Sequence, residues 1–437
     1  MQEQLISTDS RILKAEAQKD VVDIVEPKAD EYSLYKLVVS TVPESVTKSV
    51  EFSRAVKSSN MNQTIGASAH LITRGDIHNS LMLMSNAGIA NIRDDFRWNE
   101  IEKVKGEVAL TDRAKSLITN ANAYGIDVLP ILYANNPIYQ PSGSFVTTRD
   151  GVKAYGVYLK KLFQTEEFQK YIKNVEILNE PDCAGVNGLE YTDNDKRSAA
   201  IRGWAYADLL MEAYNSIKYI KPSVQVGAFS TCSVNSEKSL NFVDAALARL
   251  GNKYFDAVTE HPYFGSGYAD ETNKSYGTLI DALTKYYSKF SGNFSVAQRW
   301  HTEFGSTTAD DGGKGFSVQN QYEQAIKAIR GCNTAKRYGF NDKFYLYCLE
   351  DSGTDTTAPE DNYGMLHAYN YSTPYAAKST YLAVANMNNI IGNATSCETV
   401  KDGTDGTFIT KYNIPEKTVY IMYAKKGQTA KGSYALP

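Results

Sequence analysis

The chain has 437 residues, of which 42% are hydrophobic, with a net charge of −4 and an isoelectric point near 5.9. This charge balance provides no long-range attraction for phosphate backbones or anionic lipids, and no apolar run approaches the length of a membrane span. We therefore expect neither a nucleic-acid partner nor membrane insertion.

The N-terminal region, residues 1–60, is predicted to be an arm that carries one possible strand. Residues 8–25 have a sparse apolar stripe that includes Leu13, Val21 and Val22, which fits a helix, although their charge also permits a disordered arm. Residues 32–40 are predicted to be a strand. The first residues lack the apolar segment of a signal peptide, and we expect an extracellular or cell-surface protein whose export signal is not in this sequence.

Residues 61–395 alternate between short β-rich runs and longer helical patterns, which is typical of parallel βαβ units. Eight strands are predicted, at residues 65–70, 89–96, 128–133, 175–179, 224–229, 257–263, 296–304 and 344–349. Helices are predicted between them, among others at 112–124, 151–163, 199–217, 240–250 and 319–338, with Gly125 and Gly251 placed to end two of them. Eight alternations favour a closed (β/α)8 barrel over an open sheet.

The C-terminal region, residues 396–437, is predicted to contain β-strands. Residues 408–412 and 419–423 have strand patterns on either side of a turn around Pro415 and Glu416. The barrel needs roughly 250 residues, so the chain has enough length for an accessory element in addition.

Polar residues occur where the predicted strands end, and catalytic groups of such barrels lie at the C-terminal ends of the strands. These residues, in chain order, are His70, Arg93 with Asp94, Asn135 with Asn136, Asn179 with Glu180, His261 with Tyr263, Glu303, and Glu350. Glu180 and Glu303 each follow a short apolar run. A pair of carboxylates presented in this way is what retaining glycoside hydrolysis requires, because one protonates the leaving oxygen and the other attacks the anomeric carbon.

Four motifs in this order resemble clan A glycoside hydrolases. They are Arg93 on the second strand, Asn179-Glu180-Pro181 after the fourth, His261-Pro262-Tyr263 on the sixth and Thr302-Glu303-Phe304-Gly305 on the seventh. Within that clan the chain is most similar to the relatives of family 39, the β-xylosidase and α-L-iduronidase group, which includes bacterial exopolysaccharide hydrolases. The resemblance covers residues 64–392.

The resemblance implies that Glu180 is the acid/base and Glu303 is the nucleophile. Glu180 must then be protonated near neutral pH, so we expect its pKa to be raised. Arg93 and the Tyr263 hydroxyl would keep Glu303 ionised, Asn179 would bind the sugar 2-hydroxyl, and the remaining contacts are expected to come from His261, His70, Asn135, Trp98, Tyr133 and Glu350. The resemblance also implies a small β-domain beside the barrel that is built from both chain ends.

Several of these residues have a structural alternative. Trp98, Trp300, Tyr133 and Tyr139 are possible platforms for sugar rings, but each residue by itself is more often core packing. Arg93 could pair with Asp94 or Asp95 on the surface. His301 could face the site or be a core histidine.

No cofactor or metal is expected. The five cysteines are scattered without close pairing, which predicts neither a disulfide framework nor a metal site. The chain has no His-Glu-x-x-His, Gly-x-Ser-x-Gly or dinucleotide-binding motif.

The favoured hypothesis is a retaining glycosidase that cleaves β-type bonds in a polysaccharide or oligosaccharide through a glycosyl-enzyme on Glu303. A barrel that binds glycans without catalysis, and a transglycosylase that uses the same intermediate, are the alternatives. Neither the sugar nor endo versus exo action follows from these motifs, because loop contacts set specificity.

Overall fold

The computed structural model describes residues 33–40, 47–183, 196–251, 253–265, 267–272, 277–290, 298–310, 320–339, 342–415 and 417–428. The predicted helix or arm at residues 8–25 lies outside them. Residues Tyr32–Pro437 form one compact unit. Among the described residues, no helix combines the length and apolarity that a membrane span requires.

The central element is a closed barrel of eight parallel strands, as the alternating pattern predicted. After an antiparallel hairpin of β1 (Ser33–Ser40) and β2 (Thr47–Arg54), the barrel strands are β3 (Asn62–Ser68), β4 (Ile89–Phe96), β5 (Asp127–Leu132), β6 (Asn174–Ile177), β7 (Gln225–Thr231), β8 (Ala257–Glu260), β9 (Gln298–Phe304) and β10 (Lys343–Leu346). Each strand pairs with the next along the chain, and β10 closes the barrel on β3.

Helices follow the strands and cover the barrel. They are α1 (Ile77–Asn86), α2 (Trp98–Ile101), α3 (Asp112–Ala123), α4 (Arg149–Leu162), α5 (Glu166–Tyr171), α6 (Lys196–Ile220), α7 (Glu237–Leu250), α8 (Leu279–Ser288), α9 (Gln321–Arg337) and α10 (Ser379–Ile391). The five predicted helices are present, with ends shifted by a few residues. Gly251 ends α7 in the left-handed conformation, with φ of 61°, as the sequence predicted.

Strand periodicity separates two apolar regions. The main core lies between strands and helices, while Leu129, Ala257, Trp300 and Tyr345 form a small separate cluster. Leu129 is on β5 and Trp300 is on β9, so these side chains meet through the barrel interior. Gly227 on β7 makes room for them, because a Cβ there would lie 2.8 Å from the Trp300 ring. This packed layer closes the barrel below the site.

The C-terminal strands β11 (Ser396–Asp402), β12 (Thr407–Ile414) and β13 (Lys417–Ala424) form an antiparallel sheet. Two of these strands were predicted, and β11 was missed because most of its side chains are exposed and few are apolar. The sheet is attached to α9, where Asn333 donates hydrogen bonds to Thr410 and Tyr423 at 3.1 Å. This sheet is the accessory β-element that the sequence predicted at the C-terminal end, and the β1–β2 hairpin is a separate two-stranded sheet.

Candidate active site

Strand alternation places the candidate catalytic side chains at the C-terminal mouth of the barrel. On β4, Arg93 and Asp95 line a cavity, while Ile92 and Phe96 belong to the outer core. At the turn after β6, Glu180 adopts a left-handed backbone with φ of 46°, and its N–H donates to the Ser230 carbonyl at 3.0 Å. This turn points its side chain into the cavity. A left-handed backbone is uncommon outside glycine and often marks a functional site.

Arg93 is the centre of the polar network. Its guanidinium is buried and donates hydrogen bonds to Glu176 and Glu303 at 2.7 Å and to Asn179 at 2.6 Å. The surface pairing with Asp94 or Asp95 that the sequence left open is therefore not what the structure contains. Although burial alone would lower the pKa of Arg93, the charges of Glu176 and Glu303 raise it.

Glu303 is held from both sides at the end of β9. Arg93 donates to Oε1 at 2.7 Å, and the Tyr263 hydroxyl donates to Oε2 at 2.9 Å. The side chain is 9% exposed. A carboxylate held by a guanidinium and a hydroxyl donor has the fixed orientation that a nucleophile needs.

Glu180 and His261 form a hydrogen-bonded pair, with His261 Nδ1 2.9 Å from Glu180 Oε1. The buried imidazole also lies 3.1 Å from the Ser230 hydroxyl through Nε2. Burial alone would lower the pKa of His261, but the charge of Glu303 and the hydrogen bond to Glu180 raise it. The pair therefore favours a proton on the imidazole.

The pKa of Glu180 differs from our expectation. Burial raises the pKa of Glu180, but the hydrogen bond and the positive charge of His261 lower it by more. The pKa therefore lies below the ordinary value. The sequence predicted a raised pKa. That prediction was wrong for this arrangement, since it considered burial and the nearby nucleophile but not a buried histidine within hydrogen-bond distance.

The two carboxylates lie close together. One oxygen of Glu180, one oxygen of Glu303 and a nitrogen of His261 are all within 4.8 Å of one another. Three such ligand atoms could in principle hold a cation. The Arg93 guanidinium, however, lies 2.7 Å from Glu303 and 3.4 Å from His261, so a positive charge is already present there.

A cavity of about 270 Å³ opens above these groups. It is lined by Ser68, Ala69, His70, Arg93, Asp95, Ile131, Tyr133, Asn179, Glu180, Tyr263, Glu303, Tyr347, Glu360 and Tyr363. Both candidate catalytic residues are in this set, and so are five of the predicted binding residues: Asn179, Arg93, Tyr263, His70 and Tyr133. His261 lies directly behind Glu180.

Three other predicted binding residues are not in the lining. Trp98 is fully buried and stacks on Tyr139 at 4.9 Å, so the prediction that it forms a sugar platform was wrong. Glu350 is buried and accepts a hydrogen bond from Ser80, away from the cavity. Asn135 is half-buried in the loop after β5. Proximity to a strand end does not by itself determine which way a side chain points.

The remaining alternatives are resolved in favour of packing. Trp300 belongs to the barrel interior, and Tyr139 donates to Glu102 beside Trp98. His301 is buried against Phe344, with Nδ1 2.5 Å from Glu260. It is therefore a core histidine.

Sequence reasoning missed several cavity residues. Asp95 and Tyr347 share strand parity with Arg93 and with Tyr345, respectively, and this parity was a usable signal. Glu176, which accepts from Arg93, could be found in the same way, because it lies between Val175 and Ile177, whose side chains belong to the outer core. Other cavity residues lie in the long segment between β10 and α10, where no periodicity marks them; these are Glu360 and Tyr363.

The cysteine pattern was also misjudged, because Cys183 and Cys232 form a disulfide. They are separated by 49 residues but follow the neighbouring strands β6 and β7, whose ends lie side by side in the barrel. Cys332, Cys348 and Cys397 are free. The bridge connects the loop that carries Glu180 to the next strand end.

Comparison of the sequence with protein-family models and with curated proteins found no match. Among solved structures, a family 39 glycoside hydrolase from the gut symbiont Bacteroides cellulosilyticus WH2 superposes with a TM-score of 0.72 at 20% identity, covering 91% of this chain and 78% of that one. A glycoside hydrolase family 30 subfamily 8 xylanase from Clostridium acetobutylicum has a TM-score of 0.52 at 14% identity, covering 84% and 81%. A family 1 β-glucosidase from Exiguobacterium antarcticum B7 has a TM-score of 0.51 at 13% identity, covering 76% of this chain and 98% of that one.

Proposed function

We propose that this protein is a retaining glycoside hydrolase that cleaves β-type glycosidic bonds in a polysaccharide or oligosaccharide. The chain shares its (β/α)8 fold with glycoside hydrolases, as the sequence resemblance predicted. Fold alone does not imply function, so the proposal depends on the site. The β-type linkage is inferred by analogy with the β-glucosidase and the xylanase that share this fold.

The separation of the two carboxylates is the observation that carries the retaining mechanism. One oxygen of Glu180 and one oxygen of Glu303 lie within 4.8 Å of each other, a distance between single atoms and not between the centres of the carboxyl groups. Retaining enzymes hold their carboxyl groups about 5–5.5 Å apart, whereas inverting enzymes leave about 6.5–9.5 Å for a water molecule. The close pair supports direct attack by one carboxylate.

In the proposed reaction Glu303 attacks the anomeric carbon while the bond from that carbon to the leaving oxygen breaks. The leaving oxygen takes a proton from Glu180, and His261 passes the proton that the pair holds to Glu180 across the 2.9 Å hydrogen bond. Glu180 then accepts a proton from the incoming water as the water displaces Glu303. One water is consumed, and both carboxylates return to their initial state.

The active-site network supports these roles for physical reasons. Arg93 and Tyr263 donate hydrogen bonds to the two oxygens of Glu303 and hold the proposed nucleophile in one orientation. Asn179 accepts from Arg93 at 2.6 Å, and this contact fixes its amide beside the cavity. An amide oriented in this way can donate to the sugar 2-hydroxyl, a contact that strengthens in the transition state.

An extracellular or cell-surface location is part of this proposal. The disulfide between Cys183 and Cys232 supports it, since disulfides persist mainly in oxidising compartments. A glycan outside the cell would also be accessible to the exposed mouth of the barrel.

The test is trapping of the glycosyl-enzyme. The protein is incubated with 2-deoxy-2-fluoro β-glycosyl fluorides of several sugars, and its intact mass is measured before peptide mapping. A mass increase on Glu303 that is absent from Glu303→Gln supports the proposal. Turnover with inverted product configuration, or full turnover by Glu303→Gln, would refute it. Absence of turnover on every glycan tested would favour the glycan-binding alternative.

A further inference from the structure

Glu360 is a carboxylate at the cavity that the proposed mechanism does not use. It lies on a short 3₁₀ helix, Pro359–Asn362, between β10 and α10. This helix is anchored to the loop that follows Glu303, because Thr307 donates to the Pro359 carbonyl at 2.8 Å and the Thr308 N–H donates to the Asn362 carbonyl at 3.1 Å. The loop that follows the candidate nucleophile therefore fixes the position of Glu360 at the cavity mouth.

Glu360 is an exposed residue whose side chain forms part of the cavity lining. The Tyr347 hydroxyl lies 3.4 Å from Glu360 Oε2, and Tyr347 also lines the cavity. The rings of Tyr347 and Tyr363 are 5.3 Å apart at an angle of 69° and form an aromatic wall next to the carboxylate. Aromatic faces beside a hydrogen-bond acceptor match the apolar face and the hydroxyl-bearing edge of a sugar ring.

The charge of Glu360 is not compensated in the way that the other cavity carboxylates are. Arg93 pairs with Glu303, and His261 pairs with Glu180. Arg97 pairs with Asp95 at 2.8 Å. Within the described part of the chain, Glu360 has no ion-pair partner.

The electrostatic surroundings agree with this geometry. Burial and the charge of Glu303 raise the pKa of Glu360, so a negative field already exists at the mouth. Arg93 also lines the cavity, but its charge is paired with Glu176 and Glu303, so an anionic group placed next to Glu360 meets the like charge of Glu360.

We propose that Glu360 is a substrate-binding residue that selects uncharged or amino sugars and rejects uronic acids. Its carboxylate accepts hydrogen bonds from hydroxyl or ammonium groups of the sugar bound beside the Tyr347–Tyr363 wall. A carboxylate on that sugar would be repelled by the like charge of Glu360. The inference rests on the proposed glycosidase function and extends it to the class of substrate.

The test compares neutral and uronic-acid glycans. Release of reducing ends is measured with β-glucan, xylan, mannan and chitosan, and with hyaluronan and polyglucuronate, using the wild type, Glu360→Gln and Glu360→Asp. Glu107→Gln is the matched control, because Glu107 is exposed and outside the cavity lining yet its loss changes the net charge equally. Melting temperatures verify that each variant is folded.

We expect the wild type to act on at least one neutral or amino glycan and to act at least one hundredfold more slowly on the uronic-acid polymers. Glu360→Gln should lose at least tenfold in kcat/KM on the preferred glycan, mainly through KM. The ratio of its activity on that glycan to its activity on uronic-acid polymers should also fall at least tenfold. Glu360→Asp should keep the discrimination because it keeps the charge, although its shorter reach raises KM.

Two results would overturn the inference. One is a wild type that prefers a uronic-acid glycan, and the other is a Glu360→Gln variant that matches Glu107→Gln within twofold on every substrate. If Glu303→Gln is inactive in the same assays, the proposed function stands and only the role of Glu360 fails. If the wild type turns over none of the glycans, the proposed function and this inference fail together.

Discussion

Replacing His261 by asparagine tests whether the Glu180–His261 pair supplies the proton for catalysis. The amide nitrogen of the introduced asparagine would occupy the place of Nδ1, so a hydrogen bond to Glu180 is retained in geometry. The variant cannot carry the proton or the positive charge. A hydrogen bond to a charged group contributes about 1.5–3 kcal/mol and a neutral one about 1 kcal/mol, so the loss is about 0.5–2 kcal/mol.

The raised pKa of His261 determines in which direction the pH–rate profile of the variant should move. The pKa of His261 is raised above its ordinary value near 6.5, so the wild-type pair keeps its proton to a pH above 6.5. In the variant the only proton of the pair is on Glu180 itself. We expect the basic limb of kcat/KM to move down by at least about one pH unit, with a loss of about tenfold at pH 7 for substrates that need protonation.

Stability provides a readout that does not depend on the substrate. The stabilisation from the raised pKa of His261 is present below pH 6.5 and is lost as the pH rises through the folded pKa. The pKa of Glu180 is lowered, so its contribution is present above about pH 4.3 and is lost as the pH falls through the folded value. The free energy of unfolding should therefore differ most between wild type and variant at about pH 4.5–6.5.

The assays are pH–rate profiles on an alkyl β-glycoside and denaturant unfolding at several pH values. His78→Asn is the matched control, because His78 is exposed and outside the cavity lining. Coincident basic limbs in His261→Asn and wild type, or a stability difference that does not change with pH, would refute the assignment of the proton to this pair.

Three further outcomes are expected. Glu180→Gln should reduce kcat/KM by about 10²–10⁴ on alkyl glycosides but far less on dinitrophenyl glycosides, and equal losses on both would contradict its role as the acid. Tyr263→Phe removes the 2.9 Å hydrogen bond to Glu303 and should lower kcat/KM by about 10–100-fold with unchanged circular dichroism; activity within twofold of wild type would contradict this role. Replacing Cys183 and Cys232 by serine should lower the free energy of unfolding by about 2–4 kcal/mol in denaturant titrations, and equal stability would show that the bridge does not constrain the unfolded chain.

The location of each strand and the order of the functional motifs could be read from the sequence because both are local properties. A run such as 175–179 is apolar enough to be buried, and the motif that follows must lie at a strand end. Parallel strands bring all such ends to one face of the barrel. Glu180 and Glu303 were therefore expected to meet although they are far apart in the chain, and their oxygens lie within 4.8 Å.

Side-chain direction required the tertiary structure. Trp98 and Glu350 both lie near strand ends, yet Trp98 stacks on Tyr139 and Glu350 accepts from Ser80. A shift of one residue along a strand or loop reverses which side of the barrel wall a side chain faces. Glu360 comes from a segment with no regular period, and only the anchoring of that segment brings it to the cavity.

Strand periodicity and motif order are encoded residue by residue, and they were enough to predict a (β/α)8 barrel with a carboxylate pair at its mouth. The protonation chemistry and the disulfide depend instead on the folded chain. Whether Glu180 favours or gives up its proton depends on the buried His261 that lies 2.9 Å away, and Cys183 reaches Cys232 only because β6 and β7 are neighbours. Both properties arise from distances between residues that are remote in the chain, and these distances exist only after the barrel has closed.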